Sequence, residues 1–108
     1  MVADEPMNLL RRYLEKVRQE NLPVKGLILY GSHARGDAGP DSDIDVLVIL
    51  EDGLSSDEIT TIWTQLEHCT IGVDTRIETW PVTESRYRTD QVSPLILAAR
   101  REGILVAA

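Results

Sequence analysis

Two apolar runs, residues 24–30 and 44–50, flank a connection that is rich in glycine, serine and aspartate. Short apolar runs that end at turn-forming residues are typical of buried β-strands. The connection between them contains Gly36, Gly39 and Pro40 and is compact, so we expect the two strands to be antiparallel neighbours in one sheet. The rest of the chain is expected to pack around this strand–turn–strand segment.

Two aspartates, Asp43 and Asp45, stand at the start of the second run. Because side chains alternate along a strand, both carboxylates are expected on the same face of the sheet. Neighbouring carboxylates repel each other unless a cation lies between them. Magnesium is the candidate cation, since it prefers oxygen ligands and is commonly held by one or two carboxylates and substrate phosphates. A solvated turn is the alternative for this segment, although turn chemistry does not explain a carboxylate inside the strand.

A Gly-Ser pair, Gly31-Ser32, ends the first run and predicts a phosphate site. Glycine lets the backbone approach a ligand closely, and the next residues can begin a short helix whose free amides favour an anion. Arg35 would add a forked donor for phosphate oxygens, or it could pair with Asp37 or Asp41. A strand-ending turn is the alternative for the Gly-Ser pair. Together, a phosphate site and metal-binding carboxylates predict a nucleotide-binding protein.

The spacing of these residues, Gly31-Ser32 followed by ten residues and then Asp43-x-Asp45, resembles the signature of the nucleotidyltransferase superfamily that includes DNA polymerase beta. Both segments, and the Arg-Glu-Gly-Ile segment at residues 101–104, are most similar to the minimal nucleotidyltransferases, or MNT proteins. The resemblance covers the whole chain. It implies the α/β nucleotidyltransferase fold, with a small mixed, partly antiparallel sheet flanked by helices.

A third carboxylate on a neighbouring strand commonly completes a site for two metal ions. Residues 71–80 alternate like a strand that Pro81 ends, and on this pattern Asp74 and Glu78 both qualify. The resemblance favours Glu78, because residues 77–83 are similar to the family's third-acid strand, where aspartate is more common. Surface acids without a role in the site are the remaining alternative for both.

Amphipathic segments predict helices beside these strands. A helix is expected from the acidic N-terminus to Asn21, and a second one from the capping box of Ser55 and Glu58 to about His68. A third is expected to start at residues 83–85, and a fourth to run from Ser93 through Arg101. Gly103 is expected to cap the last helix before a short apolar run. Strands that alternate with helices indicate an α/β fold. Tyr30 and Trp63 are predicted as core residues.

Length and composition limit the number of domains, the classes of binding partner and the cellular location that we expect. At 108 residues the chain is expected to form a single domain over residues 1–108. The net charge of −7 argues against direct nucleic-acid binding, which normally uses a basic surface. One cysteine, Cys69, indicates a reducing compartment without disulfides, and no signal peptide or membrane span is apparent, so a cytoplasmic location is expected.

The resemblance also implies a function. Solitary MNT proteins resemble the antitoxin of two-component systems whose toxin is a HEPN-domain ribonuclease, and in that family AMP passes from ATP to a tyrosine of the toxin. On this interpretation Gly31 and Ser32 hold the triphosphate, and Asp43, Asp45 and Glu78 hold two Mg²⁺ ions, Glu78 alternatively taking the acceptor proton. The toxin would be the partner in a hetero-oligomer. A binding antitoxin without catalysis, and a small-molecule (aminoglycoside-type) nucleotidyltransferase, are the alternatives.

Overall fold

The alternation of apolar and amphipathic segments sets the order of helices and strands. The computed structural model describes residues 4–107. In chain order the elements are α1 (Asp4–Gln19), β1 (Val24–Tyr30), α2 (Ser32–Arg35), β2 (Ile44–Leu50), α3 (Ser56–His68), β3 (Ile77–Thr83), α4 (Glu84–Thr89), α5 (Pro94–Glu102) and β4 (Ile104–Ala107).

The four strands form one mixed sheet in the order β3-β2-β1-β4. β1 is antiparallel to both β2 and β4, whereas β2 is parallel to β3. The parallel pair is possible because α3 carries the chain back across the sheet between the two strands. The predicted α/β class, with a small, partly antiparallel sheet flanked by helices, is confirmed.

Both faces of the sheet are covered, which explains why β1 and β2 are continuous apolar runs. On one face, α1 and α3 pack against alternate strand residues, with Leu10 and Leu66 fully buried. On the other face, α5 packs Ile96 and Ala99 against Leu47 and its neighbours. β2 therefore lies in the middle of the fold. Asp43 and Asp45 stand at its start.

The helices begin where the sequence predicts. Ser55 and Glu58 form the expected reciprocal capping box at the start of α3. The side chains of Thr83 and Ser93 cap α4 and α5, which satisfies amides that a helix leaves without partners. Gly103 is the C-terminal cap of α5. None of the helices in residues 4–107 is long and apolar enough to cross a membrane.

β3 differs from the prediction in where it starts and ends. The expected strand covers residues 71–80, whereas the observed one is Ile77–Thr83. The residues before it form turns, in which the amides of Val73 and Asp74 donate to the carbonyl of Thr70 at 3.1 and 3.0 Å. The apparent alternation at the start of the predicted strand therefore belongs to a turn.

Pro81 lies inside β3 and does not end it, contrary to the prediction. The reason is that β3 is an edge strand, where proline's missing N–H removes no ladder hydrogen bond. The outer side of the edge is partly covered by Trp63, whose indole N–H donates to the carbonyl of Thr79 at 3.1 Å. Its ring contacts Trp80 edge-to-face at 5.0 Å between centroids. Trp63 therefore packs over the sheet edge and is only partly buried.

Tyr13→Phe is expected to lower the free energy of unfolding by about 1–2 kcal/mol. Tyr13 is fully buried, and its hydroxyl donates at 2.8 Å to the carbonyl of Leu66 in the last turn of α3. That carbonyl has no partner within the helix, so the variant leaves it buried and unpaired. Urea denaturation measures the change. Tyr87→Phe, in a half-buried ring, is the control and should have a smaller effect; equal losses would contradict this explanation.

Candidate active site

Three polar side chains form a row across neighbouring strands. Tyr30 at the end of β1 pairs with Asp45 on β2, and Asp45 pairs with Glu78 on β3. Because paired residues project to the same face of a sheet, the three side chains are neighbours. The strand register thus brings together two of the predicted acids, which are far apart in the sequence.

The acids disfavour one another's ionised forms. Partial burial, and then the charge of Asp43, raises the pKa of Asp45, against which the positive charges of His33 and Arg35 act. The pKa of Glu78 is also raised, mainly by the charge of Asp43, then by partial burial, by the charge of Asp45 and by a hydrogen bond with Asp43. Asp43, Asp45 and Glu78 therefore form one electrostatic cluster.

Tyr30 belongs to the same cluster. It is half-buried, and its ring packs against the apolar residues of the α5 side of the sheet, as expected of a core residue. Burial first, and then the charges of Asp45 and Glu78, raise the pKa of its phenol to about 12. The hydroxyl therefore remains protonated at neutral pH beside the two carboxylates. The sequence predicts Tyr30 only as a core residue. The strand register shows that it also lies beside Asp45 and Glu78.

The Gly-Ser turn is in direct contact with this cluster. Gly31 has φ 78° and ψ −155°, a conformation that is essentially restricted to glycine. A Cβ atom on Gly31 would lie 2.5 Å from Oδ2 of Asp45. The glycine is therefore required twice, by its backbone angles and by the closeness of the carboxylate. The turn and the acids form one site.

Helix α2 begins directly after this glycine, as predicted for the residues that follow the Gly-Ser pair. The helix is a single turn, closed by hydrogen bonds from Arg35 N to Gly31 O and from Gly36 N to Ser32 O, both 3.0 Å. The His33 ring Nε2–H donates at 3.2 Å to the carbonyl of Ser42. This bond joins α2 to the residues just before Asp43.

Arg35 makes two ion pairs at the end of α2. Its Nε donates to Asp37 at 3.3 Å, and its Nη1 donates to Glu102 at 3.1 Å. The sequence left pairing with Asp37 or Asp41 open as the alternative to a phosphate contact, and the structure shows the pairing with Asp37. A phosphate contact of Arg35 stays a prediction.

Asp74, the alternative third carboxylate, lies outside β3 and is held by Arg76. The guanidinium of Arg76 donates to both carboxylate oxygens of Asp74, with the closest contact at 2.8 Å. These bonds lower the pKa of Asp74. Glu78, in contrast, lies in register with Asp45. The geometry therefore favours Glu78 as the third acid.

The carboxylate cluster fits a divalent cation by its chemistry. It presents carboxylate oxygens from two adjacent strands, and their mutual repulsion is what a cation would neutralise. Within residues 4–107, no three His, Cys, Asp or Glu side chains already stand close enough to hold a metal ion. Magnesium ordinarily takes its remaining ligands from water and substrate phosphates.

A cavity of about 560 Å³ lies beside the Gly-rich connection. Its lining includes His33, Pro40 and Arg76, together with Glu5 and Pro6 at the start of α1, and includes none of the three acids. The cavity is therefore not the carboxylate site.

A family model and two solved structures are similar to this chain. The family model described as "Nucleotidyltransferase domain" matches residues 10–90 of the 108-residue chain. The chain belongs to this nucleotidyltransferase domain family. The resemblance inferred from Gly31-Ser32 and Asp43-x-Asp45 is confirmed at this level. No curated protein matches the sequence of this nucleotidyltransferase domain.

Two solved structures are similar to the nucleotidyltransferase domain in fold. A protein from Sulfolobus solfataricus that was assigned to the nucleotidyltransferases has 16% identity over 92% of this chain and 77% of its own, with a TM-score of 0.62. A chain of a toxin–antitoxin structure with AMP-PNP has 18% identity over 90% of this chain and 72% of its own, with a TM-score of 0.56. At these identities the likeness shows the fold alone.

Gly31→Ala is expected to destabilise the protein by about 1–3 kcal/mol for the backbone strain alone, and by more because of the clash with Asp45. Gly53→Ala is the matched control: Gly53 also has a positive φ of 87°, but its Cβ would meet no atom within 4 Å. Chemical denaturation of both variants separates strain from contact. If the two variants lost equal stability, the contact of Gly31 with Asp45 would be unimportant.

Asp45→Asn is expected to stabilise the metal-free protein at neutral pH by about 1 kcal/mol. The pKa of Asp45 is raised by folding, so the folded protein keeps this proton to higher pH than the unfolded chain. The wild type therefore loses stability as the pH rises from the pKa of Asp45 in the unfolded chain to its higher pKa in the folded protein. The variant has no carboxyl group here and avoids this loss. Thermal unfolding in EDTA, from acid to neutral pH, measures the difference.

Asp90→Asn is a control of opposite sign. The amides of Ser93 and Val92, and then Arg86, lower the pKa of Asp90 to about 2. This carboxylate therefore stabilises the fold above its unfolded pKa, and the contribution is lost as the pH falls through the folded one. Asp90→Asn should lower the Tm at neutral pH. A lower Tm for Asp45→Asn as well would contradict the repulsion described above.

Proposed function

We propose that this nucleotidyltransferase domain is a magnesium-dependent protein adenylyltransferase and the antitoxin of a toxin–antitoxin pair. It would transfer AMP from ATP to a tyrosine hydroxyl of a cognate HEPN-domain ribonuclease toxin. The contact between Gly31 and Asp45 carries the proposal, because it joins the Gly-Ser turn to the strand-borne acids in one site. Nucleotidyl transfer depends mainly on such positioning and on neutralising the phosphate charge.

The residues have separate roles in this proposal. The turn at Gly31 and Ser32, with Arg35 nearby, binds and orients the triphosphate. Asp43, Asp45 and Glu78 would hold two Mg²⁺ ions. Bound magnesium neutralises phosphate charge and stabilises the attacking and leaving oxygens. Without magnesium the negative cluster would repel a triphosphate, so the activity is expected to depend on the metal.

The reaction is a displacement at phosphorus. The tyrosine oxygen forms a bond to the α-phosphorus of ATP, the bond from that phosphorus to the oxygen bridging to the β-phosphorus breaks, and pyrophosphate leaves. In the alternative in which Glu78 is not a metal ligand, its carboxylate takes the phenolic proton; otherwise the proton passes to solvent water.

Charge and fold support a protein acceptor. The net charge of −7 disfavours direct binding to a nucleic acid. One of the neighbours in fold is part of a toxin–antitoxin structure with AMP-PNP. We therefore place the toxin as the partner, in a hetero-oligomer in the cytoplasm.

Incubation with ATP, Mg²⁺ and the protein encoded by the neighbouring reading frame is expected to add the mass of one or more adenylyl groups to that protein. Intact-mass spectrometry measures the gain, and ATP labelled at the α- or γ-phosphate distinguishes adenylyl from phosphoryl transfer. Asp45→Asn should reduce the rate about 100-fold or more, since loss of one preorganised electrostatic group commonly costs 10²–10³ in kcat.

Asp41→Asn is the matched control, because Asp41 is an exposed carboxylate of the same connection outside the predicted metal set. It should retain activity. A stable complex without any mass gain would instead support a binding antitoxin that masks the toxin. Transfer of the α-label to an aminoglycoside but not to the protein would support the small-molecule alternative.

A further inference from the structure

Glu102, at the C-terminal end of α5, contacts the glycine that precedes α2 and the arginine that ends it. One of its oxygens, Oε1, accepts hydrogen bonds from the backbone N–H of Gly31 and from Nη1 of Arg35, each at 3.1 Å. The Glu102 side chain is only 20% exposed. It lies outside residues 10–90, the part of the chain that the family model matches. It belongs to the Arg-Glu-Gly-Ile segment at residues 101–104, to which the sequence assigns no role.

The bond to Gly31 stabilises a conformation that is otherwise unfavourable. Gly31 is buried and has backbone angles that cost conformational free energy. A buried N–H without a partner would add a further penalty. A carboxylate acceptor makes a stronger bond than a neutral one. Glu102 therefore favours the conformation in which Gly31 lies against Asp45.

The same contact decides which donors the turn offers to a phosphate. The N–H of Gly31 is occupied by Glu102, so it is directed at the protein. The amides of Ser32 and His33, in the first turn of α2, have no acceptor within the helix. Glu102 thereby ties together Gly31, which precedes α2, and Arg35, which ends it.

We propose that Glu102 is a positioning residue for nucleotide binding, which holds the turn at Gly31 and the guanidinium of Arg35 in the geometry that receives the triphosphate. The proposal rests on the proposed function for the identity of the ligand. It does not depend on the acceptor or on the toxin. It assigns a role to α5, which follows the matched part of the chain.

The test compares Glu102→Ala and Glu102→Gln with the wild type. Glu84→Ala is the matched control, because Glu84 likewise bridges two cations, Lys25 at 3.2 Å and Arg88 at 3.3 Å, but lies on α4. Titration calorimetry with a non-hydrolysable ATP analogue and Mg²⁺ gives the affinity. Amide hydrogen exchange by NMR reports on Gly31. Thermal unfolding records how much stability each variant loses.

Glu102→Ala is expected to weaken nucleotide binding about tenfold and to accelerate exchange of the Gly31 amide by a similar factor. Glu102→Gln should be intermediate, because its amide oxygen can still accept from Gly31 while the charge opposite Arg35 is lost. Glu84→Ala should leave affinity and Gly31 exchange unchanged, even if it lowers the Tm. Glu102→Gln also keeps the test decisive if Glu102→Ala does not fold.

Unchanged or tighter nucleotide binding in both Glu102 variants would overturn the proposal, the latter because it would make Glu102 a competitor of the phosphate. If the wild type itself bound no nucleotide, the proposed function would fail. Exchange of the Gly31 amide would then test separately whether Glu102 holds the turn. Faster exchange in the Glu102 variants alone would support its hold on the turn. Unchanged exchange would overturn that role as well.

Discussion

The register between β2 and β3 is the constraint on which the site depends. Pairing of Asp45 with Glu78 places two carboxylates on one face of the sheet, and the strand ladder fixes the backbone positions from which they project. β2 is buried along almost its whole length, so its apolar packing opposes the repulsion at its start. The protein thus keeps an arrangement that raises the pKa of both acids. Such local destabilisation is common where function requires it.

The same row combines groups of different charge. Tyr30 supplies a phenol that stays protonated at neutral pH, next to the two acids. The turn that begins at Gly31 supplies backbone amides, directly beyond Tyr30. Hydrogen-bond donors therefore lie at the end of β1, whereas the carboxylates lie on β2 and β3. In the proposed function, a metal-bound phosphate would meet groups of opposite polarity on the two sides of this row.

The sequence predicts correctly those features that depend on residues close together in the chain. The bounds of β1 and β2 follow from apolar runs between turn residues, and the start of α3 follows from the reciprocal bonds of Ser55 and Glu58. The start of β3 could not be predicted, because Val73 alternates with polar neighbours although its amide closes a turn with Thr70. The place of Pro81 depends on β3 being an edge strand, which is a property of the whole sheet.

The position of Glu102 has the same tertiary origin. β4 pairs antiparallel with β1, with Leu29 opposite Ile104. This pairing brings the end of β1 close to the end of α5, and Gly31 and Glu102 each lie two residues beyond that pair. The side chain of Glu102 then reaches the backbone N–H of Gly31. Two strand pairings, β2 with β3 and β1 with β4, therefore determine the acids of the site and the carboxylate that holds its turn. The site is a consequence of strand register more than of loop conformation.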